Sequence, residues 1–403
     1  MKLIAFLLLN LVLVWSSPIL SNDVLKQFPE LHNAGVVIID TQAKALISAN
    51  ENTAYIPAST TKLVTAWLAL SHWGEDHHFR THFYFDELTK TLWIKGSGDP
   101  FLVSEELLLI AQNLTQFGLS EVQSIGIDNS LFQVNLLAPG ASKTNNPYDA
   151  IPTSLAANFN TVDVKKVAGK IVSAEVQTPL TATAKKIAMQ QHINTHSLRI
   201  NTGFSSRNSE QYFAELLATF LRQQGVSVTE KIIWSSAPKL TPYYTHINSK
   251  SLAEIIRPMM KYSTNFIANQ LVLILSADFF QRPANFNDVQ QYMEMTMHKQ
   301  FGWQNIVLQE GAGLSRENRL SPKQLVELLN KFRPWQHLLP KVTTNIYAKS
   351  GTLNGVSTLA GYAMDDNQNW NAFSLMMTQS VRHKRRNVIA EEIAEAASAT
   401  NRP

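Results

Sequence analysis

Three short segments carry residue types able to do covalent chemistry, and they occur in a fixed order along the chain. Ser59-Thr60-Thr61-Lys62 heads an apolar stretch, Ser263-Thr264-Asn265 follows, and Lys349-Ser350-Gly351-Thr352 comes last. With a helix starting at Pro57, Ser59 and Lys62 fall on one helical face. A serine hydroxyl is a weak nucleophile until a base takes its proton, and a lysine serves as that base only when desolvated or placed near another cation. The free N–H groups of a first helical turn favour a developing oxyanion. Ser59 is therefore the candidate nucleophile and Lys62 its candidate base. Each segment alone also has an ordinary reading, as a helix start with a solvated lysine, a turn or N-cap, and a strand meeting a turn. Ser236-Ala237-Pro238-Lys239 repeats the S-x-x-K pattern in a Pro-interrupted stretch, so the conjunction of the three segments carries the weight.

Ser263 and Asn265 sit in a break between two predicted helices, where alternate positions can face one cleft. The Ser263 hydroxyl would relay a proton to a leaving amine, and the Asn265 amide would hold Lys62 and a substrate carbonyl. Lys349 falls on a predicted strand, 345–352, whose Gly351 allows close backbone approach. An ammonium on such an edge attracts a terminal carboxylate, with the Ser350 and Thr352 hydroxyls adding contacts. The Thr352 N–H is a second oxyanion donor beside that of Ser59. Lys349 would also lower the proton affinity of Lys62 by like-charge repulsion.

The elements that must position these groups follow from periodicity. Residues 34–49 read as a hairpin, 82–85 and 91–94 as paired strands, and 105–114 as a helix. A loop is predicted over 139–152, strand-like segments over 162–172 and 176–183, and helices over 209–223, 252–260, 265–275 and 321–332. Strands at 356–363 and 370–378 precede a helical tail from Val388. Hairpin, helix, long insertion, helices and paired strands predict an α/β (α+β) fold, a sheet flanked by helices and split by an inserted domain.

At 403 residues with 45% apolar content, the chain is sized for two domains with buried cores. A net charge of +4 from only 16% charged residues leaves no basic tract of nucleic-acid-binding type. Met1-Lys2 and the apolar run to Trp15 read as a secretory signal peptide, assigned to 1–21, too short for a stable membrane span. The absence of cysteine excludes disulfides, thiolate metal sites and a cysteine nucleophile. The eleven histidines show no H-E-x-x-H and no metal-ligand spacing, so no metal is expected. The basic run Arg382-His383-Lys384-Arg385-Arg386 reads either as a solvated charge run or as a contact for anionic wall polymer or lipid.

The chain resembles the D-alanyl-D-alanine carboxypeptidase and endopeptidase family, the class C low-molecular-mass penicillin-binding proteins. Besides the three motifs, the likeness rests on residues 56–63, Gly98-Asp99-Pro100, Ala157-Asn158-Phe159-Asn160 and Gly313-Leu314-Ser315-Arg316. Those additional blocks separate it from serine β-lactamases, which share the three motifs. The resemblance implies a penicillin-recognising serine transferase domain with an antiparallel sheet, expected at 22–80 and 246–403, interrupted by an inserted domain at 81–245. The separation of Ser59 from Ser263 is shorter than is usual in the family, so the third domain is expected to be reduced or missing, with 160–207 a possible remnant. The resemblance implies catalytic roles for Ser59, Lys62, Ser263, Asn265 and Lys349. Asp149 falls where some members place an acid that binds a free amino group of the peptide, and a plain turn-forming Asp fits as well. Thr264, Ser350, Glu310 and Ala312 depart from the commoner residues of the pattern.

The implied function is an exported, periplasmic or extracytoplasmic serine enzyme that cleaves peptidoglycan stem peptides and cross-links through an acyl-enzyme. It is inhibited by β-lactam antibiotics and needs no cofactor. A β-lactamase or related esterase, and a non-catalytic penicillin-sensing or wall-binding module, are the rival readings.

Overall fold

The computed structural model describes residues 33–191, 193 and 196–400, with backbone alone for 396–400. The signal-peptide segment assigned to 1–21 lies outside the described residues. Strands β1 (Ala34–Ile39) and β2 (Ala45–Ala49) form the predicted hairpin and lead into α1 (Thr61–Trp73). An inserted stretch follows: β3 (His78–Asp86), β4 (Thr91–Lys95), α2 (Ser104–Gln116), β5 (Glu121–Val122), β6 (Ser124–Asp128), β7 (Thr161–Val167), β8 (Lys170–Ser173), α3 (Ala182–Met189) and β9 (Leu198–Asn201). It continues through α4 (Ser206–Gln223), β10 (Ser227–Val228), β11 (Ile232–Trp234) and β12 (Tyr244–Ser251). The chain then returns through α5 (Leu252–Tyr262), α6 (Asn265–Phe280), α7 (Phe286–Phe301), α8 (Pro322–Phe332), β13 (Lys341–Thr343), β14 (Ile346–Leu353), β15 (Val356–Met364), β16 (Trp370–Met377) and α9 (His383–Thr400).

The terminal segments build one antiparallel sheet in the order β13-β14-β15-β16-β1-β2, with β1 paired to β16 across the whole length of the chain. All six β1 residues are buried, because both faces of the sheet are covered. Val37 and Ile39 pack with α1, α6 and α8 on one side, while Val36 and Ile38 meet Ile389, Ala390 and Ile393 of α9 on the other. Strand alternation thus assigns each side chain to one of two cores. Helix α6 is buried over nearly its full length and is the hub of the first core.

The inserted stretch has its own mixed sheet, β11-β6-β4-β3-β12, packed on α2 and α4. This sheet begins at His78 and ends at Ser251, so the junctions expected at 80/81 and 245/246 fall inside strands β3 and β12. Residues 160–207 contribute a three-stranded sheet, β8-β7-β9, whose Val162, Val164 and Ile200 join the core of the inserted unit. Two local expectations are corrected. The segment 162–172 is a hairpin broken at Ala168-Gly169, both of positive φ (47° and 79°). Residues 176–183 form no strand; they turn, and Thr181 caps α3 by accepting the Ala184 N–H at 3.2 Å. Helix α7 is not singled out by periodicity.

Candidate active site

The first motif is held by backbone packing. Ala58 to Thr60 make a 3-10 turn ahead of α1, with Ala58 in the left-handed region (φ 46°). Two glycines pack closely against this turn. A Cβ on Gly313 would lie 1.8 Å from the Ala58 carbonyl oxygen, and one on Gly351 would lie 2.3 Å from Thr358 Oγ1 and 2.8 Å from Ser59 N. The Thr358 hydroxyl donates to the Pro57 carbonyl at 2.8 Å, and that of Thr60 donates to the same oxygen at 2.6 Å. Ser59 is thereby seated against β14, the strand that carries the third motif.

Lys62 is fully buried and joins three distant parts of the chain. Its Nζ lies 3.1 Å from Ser59 Oγ, 2.8 Å from Asn265 Oδ1 and 2.6 Å from the Ala312 carbonyl oxygen. Two of these partners are carbonyl oxygens, which only accept. A neutral amine has two N–H groups for them and one lone pair left, directed at the serine hydroxyl. Burial and the charge of Lys349 hold Lys62 well below the ordinary lysine range, and the Glu310 carboxylate opposes them.

Glu310 is buried and accepts the N–H groups of Ala312 (2.7 Å), Gly313 (2.8 Å) and Leu314 (2.8 Å) and the amide of Asn318 (2.9 Å). The carboxylate folds the loop that points the Ala312 carbonyl at Lys62. Sequence reasoning marks Glu310 only as a departure from a pattern; a carboxylate followed closely by two glycines was the available signal.

Helix α5 opens with a Ser251/Glu254 capping box and ends at Ser263 in the left-handed conformation (φ 58°). Thr264 starts α6, so the break between the helices presents Ser263 and Asn265 together. Asn265 meets Lys62 through Oδ1 and donates from Nδ2 to the Tyr148 carbonyl at 3.2 Å. Ser263 is half-buried, and its hydroxyl has no hydrogen-bond partner among the described residues. Both residues line one end of a cleft of about 920 Å³ that runs past Tyr148 and Phe159 toward Arg199 of the inserted unit.

Lys349 is buried and donates from Nζ to the Ser350 carbonyl at 2.7 Å. Burial, with the nearby Arg386 guanidinium, pushes it down to about 8. Ser350 is half-buried and Thr352 exposed on the same strand.

Asp149 lies elsewhere. It is buried, and its carboxylate accepts the Ser142 N–H at 3.1 Å and the Thr144 hydroxyl at 2.5 Å. The geometry gives it the turn-holding place, supporting the loop whose Tyr148 carbonyl meets Asn265, and not a place on the cleft wall. The second S-x-x-K, at Ser236, lies in an extended loop of the inserted unit with no helix to join its serine and lysine. Two of the other resemblance blocks also make buried scaffold contacts: Asp99 is clamped by Asn248 Nδ2 (3.1 and 2.9 Å), and Asn158 Oδ1 accepts the Ser104 N–H at 2.8 Å. Burial lifts Asp99 to about 6. Among the described residues no group of side chains is arranged to hold a metal ion.

The D-alanyl-D-alanine carboxypeptidase DacB of Haemophilus influenzae is 24% identical, the alignment covering 85% of this chain and 84% of the relative. A D-alanyl-D-alanine carboxypeptidase of Actinomadura sp. is also 24% identical, over 84% of this chain and 77% of its own. The crystal structure of penicillin binding protein 4 (dacB) from H. influenzae superposes with a TM-score of 0.75 at 21% identity, covering 93% of this chain and 99% of that one. Bd3459, a predatory peptidoglycan endopeptidase from Bdellovibrio bacteriovorus, gives 0.54 at 14% identity, covering 90% of this chain and 91% of that one. The sequence profile of the D-Ala-D-Ala carboxypeptidase 3 (S13) family matches residues 21–340 and 338–399, so the chain belongs to that family.

Proposed function

We propose that the protein is a serine D-Ala-D-Ala carboxypeptidase and DD-endopeptidase of the cell wall that works through an acyl-enzyme on Ser59. The observation that carries this reading is the triple contact of Lys62 Nζ with Ser59 Oγ, Asn265 Oδ1 and the Ala312 carbonyl. Ser59 Oγ attacks the carbonyl between two D-residues while Lys62 takes the hydroxyl proton. The carbonyl oxygen becomes an oxyanion facing the N–H groups of Ser59 and Thr352. The bond to the leaving amine then breaks, and the proton passes from Lys62 to that amine through the unpartnered Ser263 hydroxyl. Water attacks the Ser59 ester with Lys62 again as base, releasing the acid and restoring the serine. Lys349, Ser350 and Thr352 receive the terminal carboxylate of the substrate.

The cleft extending from Ser263 and Asn265 supports action on cross-linked as well as terminal D-alanine, because it has room for chain beyond the scissile residues. Against a β-lactamase stands the state of Glu310, the carboxylate that acts on Lys62: its oxygens are taken up by backbone N–H groups and Asn318, so it is not free to activate a deacylating water. Among the described residues no helix is long and apolar enough to cross a membrane. We place the enzyme outside the cytoplasm, where its substrate lies, with penicillins as slow-leaving acylating agents.

Labelling with a fluorescent penicillin tests the nucleophile: the native protein should label and Ser59→Ala should not. Persistent labelling of the Ala variant would remove Ser59 from the mechanism. Mass spectrometry of muropeptides before and after incubation should show loss of terminal D-alanine and opening of cross-links.

A further inference from the structure

The basic run near the C-terminus is not uniformly solvated. Arg386, in the first turn of α9, is only 2% exposed, although Arg382, His383 and Lys384 of the same run are exposed. Its Nη1 donates to the Gly351 carbonyl at 3.2 Å and lies 3.4 Å from Thr352 Oγ1. Its Nη2 lies 3.0 Å from His383 Nδ1. A guanidinium only donates, so His383 Nδ1 is the acceptor and the imidazole proton is on Nε2. The Arg386 Nε is buried with no partner. Among the described residues no carboxylate pairs with Arg386.

Lys349 shares this condition. It is buried at 2% exposure, and its Nζ is satisfied by the Ser350 carbonyl and not by an acid. Two buried cations, Lys349 on β14 and Arg386 of α9 against Gly351 and Thr352, therefore share one stretch of that strand with no carboxylate among the described residues paired to either, an arrangement that is costly in the free protein and relieved when an anion arrives. Their proton affinities carry the mark of that cost: burial pushes Arg386 down to about 10, and Lys349 is lowered by its own burial and then by Arg386. The Thr352 hydroxyl adds direction. Its oxygen accepts from Arg386, which leaves its own O–H free to donate outward, since Thr352 is exposed.

We propose that Arg386 is the second cation of the carboxylate-binding end of the site, a positioning residue that orients the Thr352 hydroxyl and adds the charge by which β14 selects ligands with a free terminal carboxylate. The ligand class, a D-amino-acid carboxylate, rests on the function proposed above. The selection itself is a property of binding and does not require turnover. The C-terminal helix thereby acquires a role at the site as well as in the core. Through Ile389, Ala390 and Ile393, α9 covers the outer face of the sheet, and it delivers Arg386 to the back of the reactive strand.

The test is a binding comparison in the Ser59→Ala background, which removes acylation. N-acetyl-D-Ala-D-Ala and its C-terminal amide are titrated into Ser59→Ala, Ser59→Ala/Arg386→Gln and Ser59→Ala/Arg386→Lys by calorimetry. Ser59→Ala should prefer the acid over the amide. Arg386→Gln should weaken the acid roughly tenfold or more while leaving the amide unchanged, the size expected for a charge-assisted contact. Arg386→Lys should keep part of the preference, including in the event that Arg386→Gln does not fold. Equal loss on acid and amide would make Arg386 a purely structural residue, and an undiminished preference, or none in Ser59→Ala itself, would overturn the proposal. Each of these outcomes is independent of penicillin labelling at Ser59, so failure here and failure of the proposed function are read separately.

Discussion

Replacing Lys349 with methionine should make the protein more stable while disabling it. The Lys349 ammonium is held at about 8 against an ordinary 10.5. At about 1.4 kcal/mol per pH unit, this difference amounts to about 3 kcal/mol by which folding disfavours the charged form. Methionine fills a similar volume with no charge to desolvate. It loses the 2.7 Å hydrogen bond to the Ser350 carbonyl, a cost of about 1 kcal/mol. The net expectation at pH 7 is a gain of about 2 kcal/mol, read as a higher urea midpoint at unchanged slope. The sign with pH is fixed by the direction of the shift. Below about 8 the lysine is charged in both states and the penalty is complete. Between about 8 and 10.5 the unfolded chain holds the proton that the folded chain has released, so the native protein gains stability as pH rises. Above that window the methionine variant loses its charge-related advantage. A variant less stable than the parent at pH 7, or one whose margin stays constant from pH 7 to 10.5, would refute the claim that Lys349 is an uncompensated buried cation. The same substitution removes a charge that lowers Lys62, so the acid limb of penicillin acylation should move to higher pH.

Two further outcomes follow from the packing around the serine. Gly313→Ala places a methyl group 1.8 Å from the Ala58 carbonyl at φ +81°; it should cost about 3 kcal/mol or more and abolish penicillin labelling, and full labelling would show that the turn need not be clamped. Glu310→Gln removes the anion that favours protonated Lys62, so the acid limb of acylation should move to lower pH, whereas a move to higher pH would refute the assignment. The same change should lower stability by about 1–3 kcal/mol, because an amide offers one acceptor oxygen where the loop N–H groups and Asn318 now meet two.

The sequence was informative wherever the physics is local. Ser59 and Lys62 meet because three residues of a tight turn bring them together, and the hairpin at 34–49 and the pair β15/β16 announce themselves through apolar runs bounded by turn residues. The break at Ser263 was equally visible between two apolar periods. By contrast, 176–183 reads as a strand by its Val and Thr content, yet it turns into the cap of α3, since a β-branched residue at a helix start serves through its hydroxyl.

The chain order of the three motifs determined which side chains had to converge, and the family pattern determined the fold in which they do so. Only the tertiary structure decided how they are held and tuned. The Ala312 carbonyl that takes a proton donor of Lys62 is a main-chain atom with no signature in residue type. Glu310 acts by bending a loop, Asp149 by closing another, and Arg386, written among four other polar residues, is the one turned inward against Gly351 and Thr352. The reason is physical: the proton affinity of a lysine depends on the water it has lost and on the charges brought near it from hundreds of residues away, and both are properties of packing.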